Sequence, residues 1–390
     1  MDITPSTEET LHSQLLAQKI HQEIIANNGA IPFSKYMEMA LYAPGLGYYA
    51  AGRTKLGQRG DFTTAPEISP LFGATITQSL LPAIDELKAK GQPINILEFG
   101  AGSGALAESI LNTLNNEGVS IDSYNILDLS ADLIERQKNR LAGRAEKIQW
   151  FTELPQKFTG IILANEVLDA MPIELVTYID GAWQYKDVCS NKNSDDSITF
   201  TFCPGQKVPE ELIPNYLQTA NLLNGYTTEL HPQSQAWIRA LGQFLDQGMF
   251  LTFDYGFPER EYYHSQRGQG TLIGHYRHHT IQDPFYFPGL CDLTSHVNWT
   301  VIAETAIEHG FNFSGYTSQA SYLMDAGIGQ LLLNMADPRD IKNFMPLSNG
   351  IQKLLSEAEM GELFKVLCLT KKMSISESEL PGFRSRPRAL

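Results

Sequence analysis

The chain has 390 residues, 43% of them apolar, which suffices to bury a sizeable core in one large domain with insertions or in two domains. Its 29 Lys and Arg against 44 Asp and Glu leave a net charge of −15. An acidic surface repels phosphate backbones, which argues against nucleic acid as a general partner and favours a basic protein segment or a cationic side chain.

Cys189, Cys203, Cys291 and Cys368 lie far apart with no C-x-x-C pair. Neither a disulfide nor a zinc framework is expected; buried free thiols in a reducing compartment are. The first 14 residues are acidic and polar. They lack the basic start and apolar core of a signal peptide and the arginine bias of a transit peptide. No apolar run approaches the roughly 20 residues of a membrane span. The expectation is a soluble, cytoplasmic protein.

Apolar residues at 11, 15, 16, 20, 24 and 25 predict a helix over 11–26. A second helix is expected over 32–42, followed by the glycine- and tyrosine-rich loop at 46–49. Residues 60–70 form a polar loop without periodicity, leading into a helix over 71–87. Ser69 is a suitable N-cap, with Pro70 at the first helical position.

The short apolar run at 94–99 reads as a buried strand. Gly100, Gly102 and Gly104 follow, then a helix over 105–114. Strand, glycine turn and helix open a nucleotide-type α/β sheet. The next strand, 124–129, carries Asp128 at its tip, where such sheets place a carboxylate against ribose hydroxyls. Ser130 can cap a helix over 131–141, and 147–151 is a third strand. The fourth, 160–164, delivers Asn165, Glu166 and Asp169 at its carboxyl end, the ligand-binding edge of a parallel sheet. Glu166 and Asp169 share a face of a helical turn and could grip a cation.

Three short antiparallel strands at 174–179, 183–188 and 197–202 read as a hairpin insertion. Residues 204–224 look irregular, 234–245 helical, and 248–256 is a strand ending in polar residues. The insertion at 257–299 carries His275, Tyr276, Arg277, His278, His279 and Asp292, and a long irregular segment of this kind is expected to be a functional lid. Its histidines lack the spacing of a zinc motif, so no metal site is expected. Helices at 301–309, 320–333 and 351–360 and strands at 311–315 and 363–369 complete the pattern. The tail, 374–390, has no periodicity and is expected to be mobile. The organisation is thus an N-terminal helical region (1–92), a core (93–172 and 231–373) interrupted by an insertion (173–230) and a lid, and a tail.

The pattern Glu98-x-Gly100-x-Gly102-x-Gly104 differs from the dinucleotide fingerprint G-x-G-x-x-G. It resembles the first motif of class I S-adenosylmethionine methyltransferases. Five strings in this order, GDFTTAPEISPLFG, ILEFGAGSGAL, LANEVLDAMPI, TFDYG and GTLIGHYRHHTIQDPFYFPGLCDLTSHVNW, closely resemble the MidA-type methyltransferases. That family includes bacterial proteins and the mitochondrial methyltransferase that assists respiratory complex I assembly. The resemblance runs from about residue 30 to the last strand.

It implies a class I methyltransferase (Rossmann-like) α/β fold: a mostly parallel seven-stranded sheet with helices on both faces. It implies S-adenosylmethionine as cofactor and N-methylation of an arginine on a protein substrate, such as a respiratory complex subunit. Carried over, Gly100, Gly102 and Gly104 form the cofactor loop, Glu98 serves the methionine end and Asp128 the ribose. Asp61, Glu67 and Ser69 belong to a loop closing over the cofactor. Asn165, Glu166 and Asp169 sit at the methyl-transfer mouth, and Tyr255, His275, Tyr276 and Asp292 face the substrate. Relatives often carry Pro and Arg inside the glycine loop, where this chain has Ala101 and Ser103; that departure leaves substrate choice open. A methyltransferase for a small molecule or another side chain, and a noncatalytic cofactor-binding assembly factor, remain alternatives. So do a monomer and a homodimer.

Overall fold

The computed structural model describes residues 4–51, 64–220, 222–385, 388 and 390. In chain order, the strands β1 (Asn95–Phe99), β2 (Ser123–Leu127), β3 (Ile148–Phe151) and β4 (Phe158–Asn165) come first. An inserted group follows: β5 (Glu174–Ile179), β6 (Ala182–Lys192), β7 (Ile198–Lys207) and β8 (Thr227–Leu230). The long β9 (Leu245–Phe257) precedes β10 (Ile273–Tyr276), β11 (His279–Ile281), β12 (Asp292–Thr294) and β13 (Val297–Asn298). The last two strands are β14 (Asn312–Ser318) and β15 (Phe364–Lys371).

The main sheet runs β14-β15-β9-β4-β1-β2-β3, with β13 paired beside the end of β9. Strands β1, β2, β3, β4 and β9 pair in parallel, and β15 runs antiparallel to both neighbours. Its central strands are apolar on both sides because helices cover both faces. Alternation sorts them: Ile96, Ile161 and Leu163 join one cluster with Phe72, Ile76 and Ile110. Leu97, Ile162 and Ala164 join the opposite cluster with Ile238, Leu241 and Ile302. The chain leaves β1 for β2 on one side and returns to β4 on the other. The loops beyond these two strands therefore diverge, and the resulting crevice is where such sheets bind ligands.

A second layer lies over this edge. The helices α1 (Thr7–Ala26) and α2 (Phe33–Tyr42) share an apolar cluster with the inserted strands and the lid, through Leu16, Ile20, Tyr36, Val188, Phe200 and Leu293. The insertion is more than the expected hairpin: it forms a four-stranded antiparallel sheet, β7-β6-β5-β8. Strand β8, Thr-Thr-Glu-Leu, is buried at every position and shows no apolar alternation, so its sequence does not announce it. The lid is not irregular either, since β11-β10-β12 form a small sheet.

Two further expectations change. Cys189 and Cys203 form a disulfide, with Cα atoms 5.9 Å apart. They are 14 residues apart in sequence, but β6 and β7 pair with Asp187 opposite Cys203 and Cys189 opposite Thr201, which makes the cysteines diagonal neighbours. Cys291 and Cys368 are buried thiols, as expected. The tail is docked rather than loose over its described residues: Leu380 and Phe383 are buried, Ser79 Oγ donates to Pro381 O, and Arg388 pairs with Glu362. Single anchors of this kind leave no periodic trace. Among the described residues, no helix is long and apolar enough to cross a membrane.

Candidate active site

The site grows from the end of β1. Gly100, Gly102 and Gly104 have φ of 59°, 54° and 83°, the left-handed region that favours glycine. They turn the chain into the helix Ala105–Asn116, which Gly104 caps without a side chain. A Cβ at Gly100 would come within 3.3 Å of Val167 Cγ2, a tight approach in addition to the backbone conformation. Glu98, just before it, is buried and accepts the Tyr124 hydroxyl at 2.6 Å. Burial, opposed by that hydrogen bond and helped by the nearby Asp128 charge, pushes its carboxyl up to about 7.

Asp128 follows β2. Its Oδ1 accepts Ser130 N at 2.9 Å and its Oδ2 accepts Gln137 Nε2 at 2.8 Å. Gln137 lies on the helix after Ser130 and also donates to Gly102 O at 3.0 Å. One buried amide thereby joins the glycine turn to the acidic strand tip.

The helical turn Ala65–Ile68 lies across the glycine loop. Ser103 Oγ donates to Glu67, and Arg140 bridges Glu67 at 3.1 Å and Glu108 at 2.8 Å. The small Ser103 leaves room for this guanidinium. Glu67 lines the cavity. Ser69 does not: it is buried and accepts Leu71 N at 3.2 Å as the cap of the helix Pro70–Ala89. Gly104 lies outside the lining as well, with its role in the backbone turn. Asp61 falls outside the described residues.

The opposite end of the cavity is built beyond β4 and β9. Glu166 has φ of 54°, a conformation that costs a non-glycine residue energy and needs external support. Asp254 supplies it: its Oδ2 accepts the N–H groups of Leu168 at 3.0 Å and Asp169 at 3.2 Å, while its Oδ1 accepts Tyr255 N at 2.9 Å. Asn165 Nδ2 donates to Glu166 Oε1 at 3.0 Å, and Tyr255 Oη donates to Asp169 Oδ2 at 2.5 Å. Asp169 Oδ1 and Asn165 Oδ1 are buried without a partner among the described residues. Burial and the Asp169 charge raise the Glu166 carboxyl to about 8. Burial, opposed by the Tyr255 hydrogen bond, raises Asp169 to about 6. Asp254 is pushed well up by burial and by these two neighbours.

The second layer closes the cavity. Tyr49 Oη donates to both Asp292 oxygens, at 2.9 and 3.0 Å, and its ring stacks on Tyr42 with centroids 5.5 Å apart. His296 stands edge-on to Tyr255 and stacks on Phe257. Burial, reinforced by the Arg267 charge, lowers its imidazole to about 4, so it is neutral. Along β10, Ile273 and His275 face the cavity. Tyr276 faces away, toward Glu9 of α1, because neighbours on a strand point to opposite faces.

These elements enclose a cavity of about 880 Å³. It brings together Glu67, Glu98, Gly100, Gly102, Asp128, Asn165, Glu166, Asp169, Tyr255, His275 and Asp292. Tyr42, Tyr49, Trp237 and His296 also line it and were not singled out from sequence. The Tyr48-Tyr49 pair in a glycine-rich loop was the available signal for the aromatic wall. No Lys or Arg lines the cavity among the described residues. No group of three or more His, Cys, Asp or Glu among them could hold a metal ion.

The left-handed glycine turn, the clear space above it and carboxylates at its two flanks fit a ligand carrying an ammonium group and vicinal hydroxyls, as S-adenosylmethionine does. Residues 75–317 match the family model described as "Putative S-adenosyl-L-methionine-dependent methyltransferase". A Burkholderia thailandensis crystal structure bound to S-adenosyl-homocysteine is 41% identical, covering 99% of this chain and 98% of that one, with a TM-score of 0.91. The curated protein arginine methyltransferase NDUFAF7, mitochondrial, of Homo sapiens is 26% identical over 88% of this chain and 81% of its own length. Its Drosophila melanogaster homologue is 27% identical over 93% and 86%. These relatives are mitochondrial by name, which overturns the cytoplasmic expectation drawn from the N-terminal residues. Family model, sheet order and near-complete structural match agree: the chain belongs to the MidA-type family of class I S-adenosylmethionine-dependent methyltransferases.

Proposed function

We propose that the protein methylates a guanidinium nitrogen of an arginine on a protein substrate. The observation that carries this reading is the far end of the cavity. There Glu166 and Asp169 stand beside each other and, among the described residues, Asp169 Oδ1 and Asn165 Oδ1 lack hydrogen-bond partners and no Lys or Arg lines the cavity. Buried acceptor oxygens left unpaired are costly, and a planar cation with several N–H donors relieves that cost. The relatives named as protein arginine methyltransferases support the same acceptor.

S-adenosylmethionine supplies an electrophilic methyl on a sulfonium. Glu98, Asp128 and the glycine turn would hold it on one side. Glu166 and Asp169 would bind the guanidinium bidentately on the other, aim one nitrogen at the methyl and stabilise the charge on it as the N–C bond forms and the S–C bond breaks, releasing S-adenosylhomocysteine and passing the N–H proton to one of the two carboxylates. Asn165 adds a neutral acceptor. Tyr255 fixes the Asp169 carboxylate, and Asp254 fixes the main chain that carries it. Asp292, oriented by Tyr49, and His275 form the outer wall toward the acceptor.

The test is incubation of the protein with isotopically labelled S-adenosylmethionine and an extract depleted of endogenous methylation, followed by digestion and mass spectrometry. Labelled methylarginine is the expected product. Label on a small molecule or another side chain would transfer the reading to that acceptor. Cofactor binding without label in any product would leave a noncatalytic assembly factor.

A further inference from the structure

A second buried carboxylate lies outside the cavity. Glu229, on β8, is fully buried, and no part of the reading above uses it. Its Oε1 accepts the main-chain N–H groups of Thr271 at 2.5 Å and Leu272 at 2.9 Å. Its Oε2 accepts Tyr262 Oη at 2.9 Å and Thr228 Oγ1 at 3.4 Å. The contact is close enough that a Cβ at Gly270, where φ is 75°, would fall 2.3 Å from Oε1. Tyr262 Oη in turn lies 3.1 Å from both His231 Nε2 and Thr271 Oγ1. Thr271 Oγ1 accepts His296 N at 3.1 Å.

The chain of contacts therefore runs from the inserted sheet, through Glu229 and Thr271, to His296. Thr271 lies two residues before β10, which carries Ile273 and His275 into the cavity. We propose that Glu229 is a positioning residue for the acceptor half of the cavity, pinning the 270–272 turn so that Ile273, His275 and His296 keep their places. It rests on the reading that the acceptor occupies this half. The cofactor half is held independently, by Tyr124, Gln137 and the glycine turn. A buried acceptor serving four donors has no substitute when removed, because the two main-chain N–H groups would be left unpaired.

Three variants test it: Glu229→Gln, Glu229→Ala and Thr271→Val. Gln keeps a carbonyl oxygen for the two N–H groups and can donate to Tyr262 Oη, so it should act as the conservative rescue. Thr271→Val leaves the Thr271 N–H on Glu229 but cuts the link to His296. The measurements are titration with S-adenosylhomocysteine, hydrogen exchange of residues 270–276 and 294–298 in that complex, and methyl transfer to N-acetyl-arginine N-methylamide. Glu229→Ala and Thr271→Val should bind S-adenosylhomocysteine like wild type, exchange faster in those two segments and lose about 100-fold in kcat/KM, the scale of a misplacement near 1 Å. Glu229→Gln should stay within about threefold of wild type throughout. Parallel loss of cofactor affinity in Glu229→Ala, with faster exchange across the main sheet, would show a merely structural residue and overturn the proposal. Unchanged exchange in both segments would overturn it too. If wild type transfers no methyl to arginine, the acceptor reading fails, while exchange and titration still decide the role of Glu229.

Discussion

Glu166 and Asp169 set the pH behaviour at the residue scale. Binding a guanidinium requires both ionised, and burial raises their carboxyls to about 8 and about 6. With both folded values raised, the acid form dominates on the low side. kcat/KM should therefore climb as pH rises through the 6–8 range and level off above it, as a pH–rate profile would read. Stability carries the opposite sign. The folded protein holds these protons above the pH at which the unfolded chain, near 4.5 for Glu, has released them. Wild type should lose stability relative to Glu166→Gln as pH rises from about 5 to 8. Thermal melts of the two proteins across that range check it; a constant difference would mean Glu166 ionises normally. A second residue-scale prediction concerns the glycine loop. Arg140→Ala removes the cation that bridges Glu67 and Glu108 and leaves the 65–68 turn held to the loop by Ser103 alone. S-adenosylhomocysteine affinity should fall about fivefold to tenfold, the scale of a charge-assisted contact that is partly screened. Titration at low and high salt should show the wild-type advantage shrinking with salt.

What the sequence reveals is decided at the scale of elements. The strand–glycine–helix unit at 94–114 is local, so its periodicity, its left-handed glycines and its flanking Glu98 and Asp128 are all readable in order. Asn165, Glu166 and Asp169 are legible for the same reason: they follow one obvious strand. Residues delivered from afar are not. Gln137 looks like one more polar residue on a charged helix, although it joins Asp128 to Gly102. Tyr49 and Asp292 meet across 243 residues. Tyr276 and His275 are adjacent in sequence, and strand alternation sends them to opposite faces. Ser69 is legible as a helix cap beside Pro70, and that local role, not the cofactor loop, is the one it takes. The Cys189–Cys203 pair is visible only once β6 and β7 are in register. Replacing both cysteines by serine should destabilise the protein by about 2–3 kcal/mol, the range for a closed loop of this length, without changing S-adenosylhomocysteine affinity. Denaturant melts with a parallel titration check both halves of that statement.

On the scale of the whole molecule, a nucleotide-type sheet supplies one half of a cavity and a later layer supplies the other. That layer is assembled from α1, α2, the inserted sheet and the lid, and its shared apolar cluster ties distant segments into one roof. The docked tail joins the main core, where Phe383 packs against Tyr322. Phe383→Ala should cost about 3 kcal/mol by creating a cavity there, measured by denaturant melts, while leaving the site intact. The central claim is the division of labour within the cavity: the β1–β2 edge holds the cofactor and the β4–β9 edge holds a cationic acceptor. Titration with S-adenosylhomocysteine together with methyl transfer in Asp128→Asn and Asp169→Asn tests it most directly. Asp128→Asn should bind about tenfold more weakly. Asp169→Asn should leave binding unchanged and reduce turnover about 100-fold or more. Weakened cofactor binding in Asp169→Asn equal to that in Asp128→Asn, or normal turnover in Asp169→Asn, would contradict that division of labour.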